Sequence, residues 1–197
     1  MEKVDLRNAK LMGGIGAILP LVGSLFLKRV YGLSFILSIT SIVLILMALN
    51  EISNKVGNHE IFSNYLTGFI LQIIGYIVLI IFAVVGGLAL FTGLGMGFMG
   101  ALRGLGATAI LLLFAFYVLI VVSYYYVKKS FDLIGESLSN QNFKTAGLLL
   151  FIGAILLILF IFVGALVMFV GEIFEIIGFF TLPDEIEKAG TQDIQQG

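Results

Sequence analysis

A long run without charge constrains this chain more than any other feature of its sequence. No Asp, Glu, Lys, Arg or His occurs in the 42 residues 61–102. As one helix this run would be about 63 Å long, roughly twice the hydrocarbon thickness of a bilayer. The run must therefore break, and Gly86-Gly87 and the glycine-rich residues 92–106 mark the place. We interpret residues 92–106 as an apolar connector, with a re-entrant loop or an additional span over residues 86–106 as the alternative.

The composition of the whole chain indicates that lipid rather than water is its main solvent. Of the 197 residues, 60% are hydrophobic and 12% are charged, and the mean hydropathy is +1.14. A soluble domain carries about twice that share of charged residues, which it needs to cover its surface. The net charge of −1 provides no basic field for nucleic acid, and the absence of cysteine excludes disulfides and thiolate metal sites. We therefore predict an all-α membrane protein surrounded by the lipid bilayer.

The apolar segments predict a bundle of about five transmembrane helices within one polytopic membrane domain, residues 1–182. About 20 apolar residues are needed to cross the hydrocarbon core. The predicted spans are residues 11–27, 30–49, 65–91, 107–127 and 146–170. We expect an interfacial helix over about residues 171–182 and a polar tail over residues 183–197.

The first two spans carry residues that predict how the helices pack. The first run is short, but its charged head contains acidic residues and no A-x-A-like site follows. We therefore interpret it as a retained span, kinked at Pro20, rather than as a cleaved signal peptide. In the second span Ser34, Ser38 and Ser41 share one helical face, which predicts hydrogen bonds between helices more than a polar pathway.

One stretch of the chain occurs twice, and this repeat predicts an internal duplication. Residues 56–82 align without a gap on residues 134–160, each copy being a polar lead-in followed by an apolar helix. Residues 15–19 are also identical to residues 152–156, which suggests a third, degenerate copy.

The aligned pairs of the repeat include one glycine and one asparagine in each copy. Gly75 aligns with Gly153, and Asn64 aligns with Asn142. We interpret the two asparagines as caps of the following helices, since an asparagine side chain can accept from an early backbone N–H.

Three charged residues in apolar surroundings are the candidate functional residues. We expect Arg103 to anchor the chain at the interface, with an anion or lipid-headgroup contact as the alternative. Glu172 and Glu175 share a helical face, and inside the membrane they would form a proton or cation site. Because 26 residues separate position 146 from Glu172, which is enough to cross the bilayer, we favour an interfacial position for the pair.

The remaining motifs predict no catalytic, cofactor-binding or metal-binding site. A G-x-G-x-x-G pattern at Gly95, Gly97 and Gly100 lies between membrane helices, whereas a dinucleotide site needs a preceding strand and a later acidic residue. His59 is the only histidine and is interpreted as a solvated loop residue. Residues 124–126 are tyrosines that precede two lysines, which is typical of the interfacial edge of a span.

The distribution of Lys and Arg predicts the orientation of a five-span chain. One side would hold seven of the 11 Lys and Arg residues and the other side four. By the positive-inside rule this favours a cytoplasmic amino terminus in the cell membrane and an external carboxyl terminus.

The chain resembles an uncharacterised prokaryotic multi-pass membrane protein family, the domain of unknown function 996, in three segments. These are the opening NAKLMGGIGAILPLVG, the pattern ALNEISNKVGNHEIFSNYLTGFILQIIGYIV and the ending GFFTLPDEI. The resemblance covers about residues 5–187. It implies a multi-pass membrane fold, and it supplies no activity, cofactor or functional residue.

These features predict a non-catalytic scaffold or accessory subunit that forms a homo-oligomer or binds a membrane partner protein. The alternative is a small transporter or channel for an ion or small solute, for which internal repeats are a familiar sign. An enzyme is not expected, because no His-Glu-x-x-His motif, no Asp pair inside a span and no activated nucleophile is present.

Overall fold

The computed structural model describes the backbone of residues 3–26, 31–93 and 98–187, and their side chains outside residues 24–34 and 85–110. In chain order the described elements are β1 (Lys3–Asp5), α1 (Arg7–Phe26), α2 (Tyr31–Val56), α3 (Glu60–Gly93), α4 (Phe98–Ser137), α5 (Gln141–Leu159), α6 (Ile161–Phe180) and β2 (Glu185–Glu187). Over their described residues, α2 to α6 are long and apolar enough to cross a membrane. The predicted all-α membrane fold with about five spanning helices is confirmed.

The helices form three antiparallel hairpins, α1–α2, α3–α4 and α5–α6. Helices that follow each other in the chain also contact each other between hairpins, and α6 returns to contact α1. In each hairpin a glycine of the first helix faces the second helix, so that the backbones approach closely. These glycines are Gly16, Gly75 and Gly153, and an added Cβ would meet Ile45, Ile120 and Met168 respectively. They are the glycines that the sequence repeat aligns, although the duplication itself stays a prediction.

Buried serines join the helices within two of the hairpins. Ser41 of α2 donates to the Gly16 carbonyl oxygen of α1 at 2.8 Å. Ser130 of α4 donates to the Ile61 carbonyl oxygen of α3 at 2.7 Å. Ser41 therefore takes part in helix packing, as its position on the serine face predicts.

A chain of aromatic rings joins four helices near the end of the bundle where the two termini lie. Tyr65 of α3 stacks on Phe131 of α4 at 6.0 Å between ring centroids. Phe131 meets Phe143 of α5 edge to face at 5.4 Å, and Phe143 meets Phe179 of α6 at 5.0 Å. The three phenylalanines are fully buried, so these ring contacts lie in the hydrophobic core.

The predicted fifth span, residues 146–170, is divided in the structure. α5 ends at Leu159, α6 begins at Ile161, and Phe160 between them leaves the helical conformation, with φ −145° and ψ 81°. The chain reverses there, and α6 runs back along α5 to Phe180. The prediction of one span followed by a separate interfacial helix over residues 171–182 is therefore wrong.

The reversal is possible because α5 and α6 touch almost backbone to backbone beside the turn. A Cβ added to Gly164 would lie 2.6 Å from the Leu157 backbone nitrogen and 2.8 Å from the Gly153 carbonyl oxygen. Only glycine at both positions permits this contact. The turn itself is apolar and exposed, with 89% of Phe162 accessible, so that it faces lipid rather than the bundle.

The predicted glycine-rich connector, residues 92–106, is mostly helical. α3 continues to Gly93 and α4 begins at Phe98, so only residues 94–97 stay outside the description. The glycines at positions 100, 104 and 106 are accommodated within α4, since glycine is common in transmembrane helices.

A two-stranded ribbon holds the two termini together at one end of the bundle. β1 pairs antiparallel with β2, with Val4 opposite Ile186. Lys10 Nζ lies 2.9 Å from Asp184 Oδ1, and the Leu6 backbone N–H donates to the Asp184 carbonyl oxygen at 2.8 Å. The Lys10 hydrogen bond and charge hold the pKa of Asp184 below its usual value. The expectation that the termini lie on opposite sides is therefore wrong, because α6 supplies an additional crossing.

The helix caps differ from the predicted ones. Asn58 Oδ1 accepts from the Glu60 N–H at the start of α3, and Asn140 Oδ1 accepts from the Asn142 N–H at the start of α5. Asn64 lies one turn inside α3, where its Nδ2 donates to the Glu60 carbonyl oxygen. The prediction of caps at Asn64 and Asn142 is wrong, since each helix begins before the aligned asparagine.

Candidate functional site

The two glutamates lie inside a full-length helix. Glu172 and Glu175 stand eight and five residues before Phe180, the last residue of α6. At 1.5 Å per residue these positions are about 12 and 8 Å from the helix end. The pair therefore lies inside a helix that is long and apolar enough to cross a membrane, and the proton or cation site and the interfacial position both stay predictions.

The Glu175 side chain of α6 is buried. Its accessibility is 9%, and Tyr65 of α3 and Tyr124 of α4 lie within electrostatic range of its carboxyl group. Two buried side-chain polar atoms in the described part of the chain lack a hydrogen-bond partner, and they are Glu175 Oε1 and Ser123 Oγ. None of the ion pairs formed by described residues includes Glu172 or Glu175.

An unpaired carboxylate in such surroundings is unfavourable. Removing one ion from water costs several kcal/mol even after the protein relaxes around it, and a favourable interaction of similar size must offset this desolvation free energy. A proton or a bound cation offsets it, whereas the nearby tyrosine hydroxyls carry no positive charge. The arrangement can therefore hold a proton or a cation at Glu175.

A cavity of about 400 Å³ lies between helices α3 to α6. Its lining is apolar and aromatic, and includes the three tyrosines Tyr76, Tyr117 and Tyr124. The Tyr117 hydroxyl donates to the Ile155 carbonyl oxygen at 3.3 Å, which fixes its ring between α4 and α5. A volume of this size is in the range of small-molecule sites.

Tyr124 connects the cavity with the carboxylate pair. It lines the cavity and lies within electrostatic range of both Glu172 and Glu175. On α6, Met168 lines the cavity and Glu172 follows it by one helical turn on the same face. Tyr124 and Met168 therefore relate the cavity to the two glutamates, which are not themselves part of its lining.

The other residues singled out in the sequence lie elsewhere or outside the description. Arg103 belongs to the backbone of α4, but its side chain lies outside the described residues, so its anion or lipid-headgroup contact stays a prediction. His59 is exposed in the turn between α2 and α3. Of the G-x-G-x-x-G glycines, Gly95 and Gly97 lie outside the described residues, and Gly100 is helical.

The position of Tyr124 in the cavity is not predicted from the sequence. The pattern of residues 124–126 is typical of the interfacial edge of a span, but α4 continues to Ser137 and Tyr124 lines the cavity. The available signal is the seven-residue spacing of Tyr117 and Tyr124, which puts both rings on one face of α4.

Comparison with known proteins assigns the chain to a family without assigning an activity. The family described as "Protein of unknown function (DUF996)" matches residues 37–173. An uncharacterized protein of Methanocaldococcus jannaschii is 39% identical over 190 residues, which cover 95% of this chain and 99% of that protein. No solved structure matches the chain significantly. The chain belongs to the DUF996 family of proteins of unknown function.

Proposed function

We propose that this protein is a small multi-pass transporter or channel of the cell membrane, in which Glu175 and Glu172 bind a proton or a cation. In this proposal both termini lie on the cytoplasmic side. The observation that carries the proposal is the buried Glu175 carboxyl group, whose Oε1 has no hydrogen-bond partner. Ionisable residues inside membrane bundles are costly and usually mark ion or proton pathways.

The distribution of positive charge supports the proposed orientation. The three hairpins bring both termini, the α2–α3 turn and the α4–α5 turn to one end of the bundle. In the sequence, eight of the 11 Lys and Arg residues fall in the two terminal segments or near these two turns, whereas Lys28 and Arg29 fall between α1 and α2 and Arg103 falls near the start of α4. This division of eight to three is more uneven than the seven to four of the predicted five-span chain. By the positive-inside rule it favours a cytoplasmic position for both termini.

A scaffold or accessory subunit is the second proposal, and it accounts for less of the structure. Such a protein needs only apolar faces for lipid and neighbouring helices. A scaffold role does not explain a buried carboxyl group without a hydrogen-bond partner. Such a group lowers the stability of the protein unless a ligand or a proton accompanies it.

Carbodiimide modification tests the binding site. Dicyclohexylcarbodiimide is lipid-soluble and modifies carboxylic acids in apolar surroundings, and peptide mass spectrometry locates its adducts. We expect an adduct at Glu175 in the protein reconstituted into vesicles, and less of it when Na⁺ or K⁺ is raised if that ion binds. Glu175→Gln should abolish this adduct, whereas Glu60→Gln, which changes an exposed glutamate at the polar end, should leave it unchanged. Modification of Glu60 but not of Glu175 would contradict a buried site.

Solute flux tests transport itself. Vesicles containing the purified protein should show proton or cation flux above that of protein-free vesicles. Glu175→Gln should lower this flux at least tenfold, and Glu60→Gln should not change it. Flux equal to that of protein-free vesicles for protons, Na⁺ and K⁺ alike would leave the scaffold proposal as the better one.

A further inference from the structure

The cavity between helices α3 to α6 opens sideways toward the lipid. Its rim is formed by residues with exposed side chains, namely Tyr76, Leu113, Ile158 and Ile161. Ala154 and Ile120 form its buried back wall. A ligand entering from this direction crosses acyl chains first, so it must itself be soluble in the membrane.

The cavity wall offers aromatic faces. Tyr117 and Tyr124 of α4 stand two turns apart on one face, and Tyr76 of α3 stands opposite them at the rim. A cation placed over such a ring gains about 0.5–1 kcal/mol at an exposed site and about 2 kcal/mol where water is excluded. The wall thus favours a cation with apolar substituents over a hydrated metal ion.

Two carboxyl groups lie on the face of α6 from which Met168 lines the cavity. Glu172 and Glu175 follow Met168 on one face of α6, at four and seven residues. Tyr124 lies within electrostatic range of both carboxyl groups and of Tyr76. None of the ion pairs among the described residues occupies this pair. A positive group bound beside Tyr124 can therefore pair with a carboxylate that has released its proton.

We propose that the cavity binds a lipophilic organic monocation, with the cationic centre beside Tyr124 and Glu172 and the apolar groups between α4 and α5. This inference rests on the proposed function, because it names the class of cation that the carboxylate pair receives. The volume of about 400 Å³ suits a compact organic cation. A lipid acyl chain is the other occupant that an apolar cavity could hold, but an acyl chain is uncharged and would gain no electrostatic stabilisation from the glutamates.

Binding of a permanently charged probe tests the inference. We would measure binding of radiolabelled tetraphenylphosphonium to the protein in lipid nanodiscs, with neutral triphenylphosphine oxide as competitor. Saturable binding is expected in the wild type, with competition by unlabelled tetraphenylphosphonium and not by the neutral compound. Glu172→Gln, which keeps the shape of the side chain, should weaken binding at least tenfold. Glu60→Gln is the matched control and should bind as the wild type does.

A second variant keeps the test independent of folding. Tyr76 is 55% exposed at the rim, so Tyr76→Leu should not disturb the packing of the bundle. We expect Tyr76→Leu to weaken binding several-fold and Tyr76→Phe, which keeps the ring face, to bind within about twofold of the wild type.

The outcomes separate this inference from the proposed function. Equal binding of the charged and neutral compounds, or unchanged binding in Glu172→Gln, would overturn the inference and identify the cavity as an acyl-chain groove. If carbodiimide still modifies Glu175 in that case, the proton or inorganic cation site stands without the organic ligand. Charge-selective binding that depends on Glu172 and Tyr76 would support the inference even if no ion flux were found.

Discussion

Replacing Gly164 by alanine should separate the two helices of the α5–α6 hairpin. The added Cβ would lie 2.6 Å from the Leu157 backbone nitrogen, which is 0.8 Å short of the 3.4 Å where ordinary contact begins. It would also lie 2.8 Å from the Gly153 carbonyl oxygen. Because both neighbours are backbone atoms, no side chain can rotate away, and the helices themselves must move apart.

The magnitude of the Gly164→Ala effect follows from two opposing contributions. Alanine stabilises a helix interior by about 1 kcal/mol relative to glycine. Overpacking of a close contact costs about 1–3 kcal/mol, and a clash with backbone on both sides should reach the upper end of that range. We therefore expect Gly164→Ala to lower the free energy of unfolding by about 2 kcal/mol.

Reversible unfolding in mixed micelles with increasing SDS, followed by circular dichroism, measures this change. Gly23→Ala is the matched control, since its added Cβ would find only Leu37 Cδ1 at 4.0 Å. The control should be as stable as the wild type or more stable by up to about 1 kcal/mol. If Gly164→Ala were as stable as Gly23→Ala, the close approach of α5 and α6 described here would be refuted.

Three further predictions concern other parts of the chain. Ser41→Ala should lower the free energy of unfolding by about 0.6–1 kcal/mol in the same assay, whereas Thr40→Ala, which loses only a bond within its own helix, should do less. Because the pKa of Asp184 is lowered in the folded state, its ion pair with Lys10 stabilises the fold at pH values above the ordinary pKa of 3.8, and this contribution is lost as the pH falls through the folded-state pKa. Protection of the Leu6 amide from hydrogen exchange should therefore fall in acid. Unchanged protection would exclude the Lys10 ion pair as the cause of that protection. In this cysteine-free chain, a membrane-impermeant maleimide added to inside-out vesicles should label His59→Cys and not Phe162→Cys. Labelling of both variants would argue against the proposed orientation and against a position of Phe162 within the lipid.

The membrane class of this fold could be predicted because it depends on charge, and charge is visible in the sequence. The uncharged residues 61–102 exceed any single crossing, and the structure divides them between α3 and α4. The positions of two interhelical glycines, Gly75 and Gly153, are likewise visible in the repeat. Such features are local, and they need no knowledge of how distant segments meet.

The sixth helix could not be located because its turn carries no polar or turn-forming residue. Phe160 is surrounded by apolar residues, and Gly164 and Gly153 look in sequence like ordinary packing glycines. Only their contact across the hairpin distinguishes them. The count of 26 residues from position 146 to Glu172 fits a straight span, so the sequence predicts that the glutamates follow the span, whereas in the structure they lie inside α6.

The uncharged turn between α5 and α6 has a consequence for how the protein is made. No charged residue lies between Lys144 and Glu172, so insertion of this segment does not require a charged side chain to lose its hydration and cross the acyl chains. In the proposed orientation, the two helices can enter the membrane from the cytoplasmic side as a preformed pair, with Phe162 leading and the polar ends remaining on that side. Insertion of this hairpin then requires the burial of apolar surface but no translocation of a polar loop across the membrane.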